Sequence, residues 1–144
     1  MPDKKMTEDF VKAAVIKWLS RNGWGHFIFD ELHTHGVDLR AKKNNYSRYI
    51  FIEAKGESVN RSGRENSFVY SLGQIITRMK DGGTTRNYYG LALPANSAQI
   101  AIRRIPWQVA KKLLIQVFSV TADGRVTEYT WREMKNRQTI RAGS

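Results

Sequence analysis

The chain reads as an α/β domain, a mixed β-sheet flanked by helices, and three observations predict it. Apolar residues recur at helical spacing in residues 8–19 and 68–79. Short runs rich in β-branched and aromatic residues stand between and after them. Breaks such as Asn22-Gly23, Asn44-Asn45 and Asp123-Gly124 separate one run from the next. At 144 residues and 41% apolar content, one domain with one core spanning 1–144 accounts for everything.

Thr7 is placed to cap the first helix, with Glu8 and Asp9 in its first turn, where negative charge meets the positive end of the helix dipole. Val11, Ala14, Val15, Trp18 and Leu19 make its apolar face, and Asn22-Gly23 stops it. Residues 26–32 and 36–41 follow as strands. A polar turn over 43–48 then returns the chain in a third strand, 49–55. Residues 56–64 form a polar segment. Ser62 and Glu65 have capping-box spacing ahead of a second helix, with Phe68, Leu72, Ile75, Ile76 and Met79 as its stripe. Asp81-Gly82-Gly83 ends that helix, and residues 88–93 form a buried strand closed by Pro94. Residues 97–113 are helical, kinked or restarted at Pro106. A terminal hairpin spans 114–121 and 125–131, and a loose basic tail is expected from about residue 133. The predicted order is α-β-β-β-α-β-α-β-β.

Charge says most about partners. Lys and Arg number 24 against 13 Asp and Glu, a net +11 with a pI near 10.1. Such an excess implies an anionic partner, nucleic acid first, because neutralised phosphates release counterions. There is no cysteine, which excludes disulfides and thiolate metal sites. No stretch approaches the ~20 apolar residues that cross a membrane, and the first residues lack a signal-peptide core, so no membrane partner and a cytoplasmic location are expected.

Within Ile50-Phe51-Ile52-Glu53-Ala54-Lys55 the strand period puts Phe51, Glu53 and Lys55 on one face. A turn centred between Asn45 and Tyr46 sets Asp38 opposite Glu53 and Gly36 opposite Lys55. Directly opposed Cβ atoms lie ~4.5–5.5 Å apart, so two carboxylates there repel unless a cation lies between them. Oxygen ligands in small number suit Mg²⁺, with Mn²⁺ as a substitute, and such an ion can also take a phosphate oxygen. Lys55 is then able to orient or help deprotonate a water, or to stabilise transition-state charge. The alternative is a surface hairpin with these charges on its wet face.

The segment Gly36-Val37-Asp38 followed by Phe51-Ile52-Glu53-Ala54-Lys55 resembles the PD-(D/E)xK nuclease superfamily, which includes restriction endonucleases and Holliday-junction resolvases. Val37 stands where the family's usual proline would be. The resemblance extends from residue 7 to about 121, because the element order also matches the family's common core. It implies a restriction-endonuclease-like fold and a Mg²⁺-dependent endodeoxyribonuclease acting on duplex or branched DNA. It also implies a homodimer, since cutting two strands takes two sites. On this resemblance Glu8, at the border of the first helix's apolar stripe, completes a metal site with Asp38 and Glu53, and Gln74 joins the catalytic residues. The alternatives for these two are dipole stabilisation for Glu8 and plain exposure for Gln74. A nucleic-acid-binding module that keeps the fold without turnover is the other functional reading.

Arg40, Lys42, Lys43, Arg48, Arg61, Arg64 and Arg78 are the expected phosphate contacts, which position DNA without reading its sequence. His33-Thr34-His35 could bind zinc, but the barrel hydrolases that use such a pair need a longer chain, and the histidines are expected beside the site or on a loop. Arg103-Arg104 with Trp107 suggest a further contact surface, although Trp107 and Tyr88-Tyr89 suit the core.

Overall fold

The computed structural model describes residues 6–29, 38–58, 60–79 and 87–142. Its elements are α1 (Glu8–Arg21), β1 (Trp24–Phe29), β2 (Leu39–Lys43), β3 (Tyr49–Ala54), α2 (Arg61–Thr77), β4 (Tyr88–Pro94), α3 (Ala95–Arg104), α4 (Trp107–Leu113), β5 (Ile115–Val120), β6 (Val126–Tyr129) and α5 (Trp131–Ala142). The six strands form one mixed sheet in the order β1-β2-β3-β4-β5-β6. Pairing is parallel for β3–β4 and β4–β5 and antiparallel elsewhere. Strand order advances without reversal, so the two parallel crossovers carry α2 and then α3–α4 over the same face.

Strand alternation sorts the core into two layers. Ile50, Ile52, Ala54, Leu39, Ala41, Phe118 and Val120 pack with Val11, Ala14, Val15 and Leu19 of α1. Leu91, Leu93, Ile115 and Val117 face the other way, onto Phe68 and Ile75 of α2, Ala98 and Ile102 of α3, Ala110 of α4 and Met134 of α5. Gly90 is needed on the α1 side. A Cβ there would come within 2.7 Å of the Phe118 ring and 3.1 Å of Ile52.

Local signals explain most boundaries. The Thr7 hydroxyl accepts from the Phe10 amide at 3.1 Å, and α1 ends at Asn22 ahead of Gly23 with φ of 87°. Asn45 takes a left-handed φ of 66° in the β2–β3 turn, which fixes the hairpin register. Other boundaries correct the sequence reading. The cap of α2 is Asn60, whose side chain accepts from the Gly63 amide at 2.7 Å, and not Ser62. Ile76 lies off the apolar stripe and is 44% exposed, while Phe68, Leu72, Ile75 and Met79 keep it.

The helical stretch through Pro106 is two helices, because the proline restarts the chain. The expected loose tail is the helix α5. Gln138 bonds the Ile102 and Ile105 carbonyls at 3.0 and 2.7 Å and receives the Trp107 amide at 3.1 Å, while Trp131 stacks on Trp107. No helix among the described residues is long and apolar enough to cross a membrane.

Candidate active site

The register of β2 on β3 pairs Leu39 with Ile52 and Arg40 with Phe51. One step further along the ladder brings Asp38 across from Glu53, as the hairpin arithmetic predicts. Since Leu39 and Ile52 point to α1, Asp38 and Glu53 point to the opposite face, under α2. Both are buried, at 4% and 1% exposure, which is rare for charged residues.

Each carboxylate has a partner that holds it. The Ala54 amide donates to Asp38 Oδ2 at 2.9 Å across the strand pair. Arg78, the C-cap of α2, donates to Glu53 Oε1. The other oxygen, Glu53 Oε2, is buried and has no hydrogen-bond partner. Burial pushes the Glu53 carboxyl up to about 7, the neighbouring Asp38 carboxylate pushes it the same way, and Arg78 opposes both.

The rest of the site comes from α2. Tyr70, Gln74 and Arg78 recur at intervals of four and therefore share a helix face. Tyr70 meets Lys55, whose Nζ lies 4.5 Å from the ring centroid, so Lys55 stands on the same side of the sheet as Glu53. Gln74, between them on the helix, carries a buried Oε1 without a partner. Arg40, one strand over on the same face, carries a buried Nε without one, while its guanidinium lies 5.4 Å from the Tyr49 ring. These three are all the buried side-chain polar atoms without partners among the described residues. Each such atom costs about 1–3 kcal/mol where no water or ligand meets it.

Asp38, Glu53, Lys55, Gln74 and Arg78 are thus gathered between β3 and α2. Glu8 is not gathered with them. Its backbone touches the end of β3, since a Cβ on Gly56 would lie 2.8 Å from the Glu8 nitrogen. Its carboxylate instead pairs with Lys12 at 3.6 Å. Among the described residues no group of three or more His, Asp or Glu side chains is arranged to hold a cation. The available acidic donors are therefore the Asp38–Glu53 pair.

The expected phosphate contacts do not form one cluster. Arg78 is committed to Glu53, and Arg40 borders the site. Lys42 alternates with Arg40 on β2 and is partly exposed. Lys43 and Arg48 lie at the far end of the sheet, where Lys43 sits over Trp24 and Arg48 over Tyr88. Arg64 joins Arg103 and Arg104 along a cleft between α2 and α3. The Arg61 side chain and the pair His33 and His35 lie outside the described residues. Tyr70 and the Arg78–Glu53 contact were missed in the sequence. The spacing of four along α2 was the available signal, but it does not say which strand residue each side chain meets.

Comparison of the chain with family models, with curated proteins and with solved structures finds no significant match.

Proposed function

We propose that this protein is a divalent-metal-dependent DNA endonuclease of the PD-(D/E)xK type, built on a restriction-endonuclease-like core. The observation that supports it most is the buried Asp38–Glu53 pair with Lys55 one pleat on. The donor set suits a hard cation: two adjacent carboxylates, one with a buried oxygen that nothing meets, and a pKa raised partly by mutual repulsion. Asp38 and Glu53 would hold Mg²⁺, or Mn²⁺ in its place, and a bound ion there supplies polarisation of the phosphoryl oxygen and a lowered pKa for water.

The chain's own groups do the rest. Lys55 brings an ammonium to the attacking water or to the developing phosphoryl charge, and Tyr70 holds that ammonium in place. Gln74 offers an amide whose oxygen is unengaged, suited to orienting water. Arg78 keeps Glu53 compensated. The excess of cations supports a DNA substrate, and cutting both strands of a duplex or a branched junction calls for a homodimer.

A second reading is a nucleic-acid-binding module on the same fold without turnover. It is favoured by the Arg78 contact, which already neutralises Glu53, and by the absence of a third acidic ligand among the described residues. Incubation with duplex, branched and single-stranded DNA in Mg²⁺ or Mn²⁺ separates the two. The nuclease reading expects nicking that needs the ion and is lost in Lys55→Ala. Salt-sensitive binding with no nicking supports the module and ends the nuclease reading.

A further inference from the structure

The turn that joins β2 to β3 builds a second cleft at the opposite end of β3 from Glu53. Trp18, Trp24, Lys43, Tyr46, Arg48 and Glu128 line it, and it encloses about 670 Å³, the size of a small-molecule site. From Arg48 to Glu53 is five strand steps, or about 17 Å at the usual rise per residue. Nothing in the cleft touches the chemistry proposed for Asp38 and Glu53.

Its parts are an aromatic wall, two cations and one carboxylate. Tyr46 stands at the tip of the turn, 64% exposed, where polar residues normally sit, and its ring stacks on no other aromatic among the described residues. The Trp24 ring meets Tyr88 edge-on, with centroids 6.1 Å apart. Lys43 Nζ is held 5.1 Å from the Trp24 ring and donates to the Asn22 carbonyl at 3.3 Å. Arg48 donates one N–H to the Tyr88 hydroxyl at 2.8 Å and lies 5.0 Å from that ring, which leaves further guanidinium donors for a ligand. Glu128 is half-buried and its carboxylate accepts no hydrogen bond from the described residues. Burial and Glu133 hold its pKa above the ordinary range, against the pull of Lys43.

We infer that this cleft binds one unpaired nucleotide. The base stacks beneath Tyr46 against the tryptophan wall, the phosphate lies between Lys43 and Arg48, and Glu128 accepts from N–H groups on the base edge. Stacking on aromatic rings beside Lys and Arg is how unpaired bases are held generally, and every base has a π-face to offer. The carboxylate adds selectivity. Guanine presents two adjacent N–H donors on its pairing edge where adenine and cytosine present one amino group, so guanine is the preferred base. A plain anion site would need neither the exposed ring nor the carboxylate.

The test follows tryptophan emission of the full chain in EDTA, where no cleavage occurs, while dGMP, dAMP, deoxyribose 5-phosphate and inorganic phosphate are added in turn. Trp18 and Trp24 line the cleft, whereas Trp107 and Trp131 stack on each other elsewhere. Saturable quenching is expected with dGMP, weaker with dAMP, and absent with the two base-free phosphates. Tyr46→Ala, a surface change, is expected to weaken dGMP about tenfold, the effect of losing one stacked ring. Glu128→Gln is expected to bring dGMP and dAMP to equal affinity. The inference is overturned if inorganic phosphate matches dGMP, if dGMP does not quench, or if Tyr46→Ala binds as the parent does. Because no divalent ion is present, its failure leaves the nuclease reading standing, and the reverse holds too.

Discussion

The helix-covered face of the sheet has two halves that obey different rules. Over β4 and β5, Leu91, Leu93, Ile115 and Val117 meet α2, α3, α4 and α5 in a largely apolar layer, whose face of β5 also carries the buried hydroxyl of Ser119 but no buried charge among the described residues. Over β2 and β3, the same face of the same sheet buries Asp38, Glu53 and part of Arg40 beneath the Tyr70–Gln74–Arg78 face of α2. One helix serves both, with Phe68 and Ile75 turned to the first half and Gln74 and Arg78 to the second. A chain able to cover one half with isoleucine and leucine is not forced to put carboxylates in the other. Buried charge is weak evidence for stability, and hydrophobic replacements of such groups are often neutral or stabilising. Stability alone therefore does not account for the polar half, which the proposed nuclease reading assigns to chemistry, and the comparison can be broken or sharpened experimentally.

The largest expected effect is on turnover. Asp38→Asn removes a charge from the carboxylate pair and Lys55→Ala removes the ammonium beside it. Each should lower metal-dependent cleavage about a hundredfold or more, measured on labelled duplex and branched DNA. Circular dichroism should remain that of the parent. Cleavage by both variants at the parent rate would make the polar half a structural curiosity.

Next comes a stability contrast between neighbours on α2. Ile75→Ala empties a fully buried site in the apolar half and should cost about 2–5 kcal/mol in urea unfolding. Gln74→Ala, one residue earlier, removes a buried oxygen that nothing satisfies and should change stability by less than about 1 kcal/mol. Equal losses at the two positions would mean that Gln74 packs as core.

What was legible in advance divides along the same line. The hairpin register followed from a short turn and a period of two, so the shared face of Asp38, Glu53 and Lys55 could be worked out on paper. The helix face that lies over them could not, since its contacts join residues 15 to 25 apart and depend on how α2 crosses the strands. Arg78 was expected as a phosphate contact rather than as the partner of Glu53 for that reason. Lys43 and Arg48 are close to Asp38 in sequence, yet the strands carry them to the other end of the sheet. The helix α5 was hidden by composition. Its charged residues resemble a solvated tail, and the few residues that anchor it most, Trp131, Met134 and Gln138, are scattered among them. Asn60 and Ser62 are both competent caps, and spacing alone did not choose between them.

Arg78→Ala should have a smaller effect than Ile75→Ala, with a sharper signature. It leaves Glu53 buried beside Asp38 without its counter-charge, but the carboxyl escapes most of the penalty by taking up a proton. A loss of about 1–2 kcal/mol near neutral pH is expected, shrinking in acid. Added Mg²⁺ should raise the melting temperature more in this variant than in the parent, because the ion meets a carboxylate pair that nothing else neutralises. An unchanged response to Mg²⁺ would separate Arg78 from the cation site.

The most gradual effect is a slope against pH. Glu53 is raised from 4.5 to about 7 in the folded chain, chiefly by burial and then by Asp38. Between those values the folded protein holds a proton that the unfolded chain has lost, so unfolding releases it and stability falls as pH rises. The contribution of Glu53 is fully present below about pH 4.5 and is gone once the pH has passed 7. Metal-free protein should therefore melt at a lower temperature at about pH 8 than at about pH 5.5. Glu53→Gln should flatten that slope, since the amide does not titrate. Asp38 and the raised Glu128 remain in the variant, so a slope that survives the substitution would place its origin outside Glu53. A slope that vanishes would tie the pH response of the whole fold to the polar half of one sheet face.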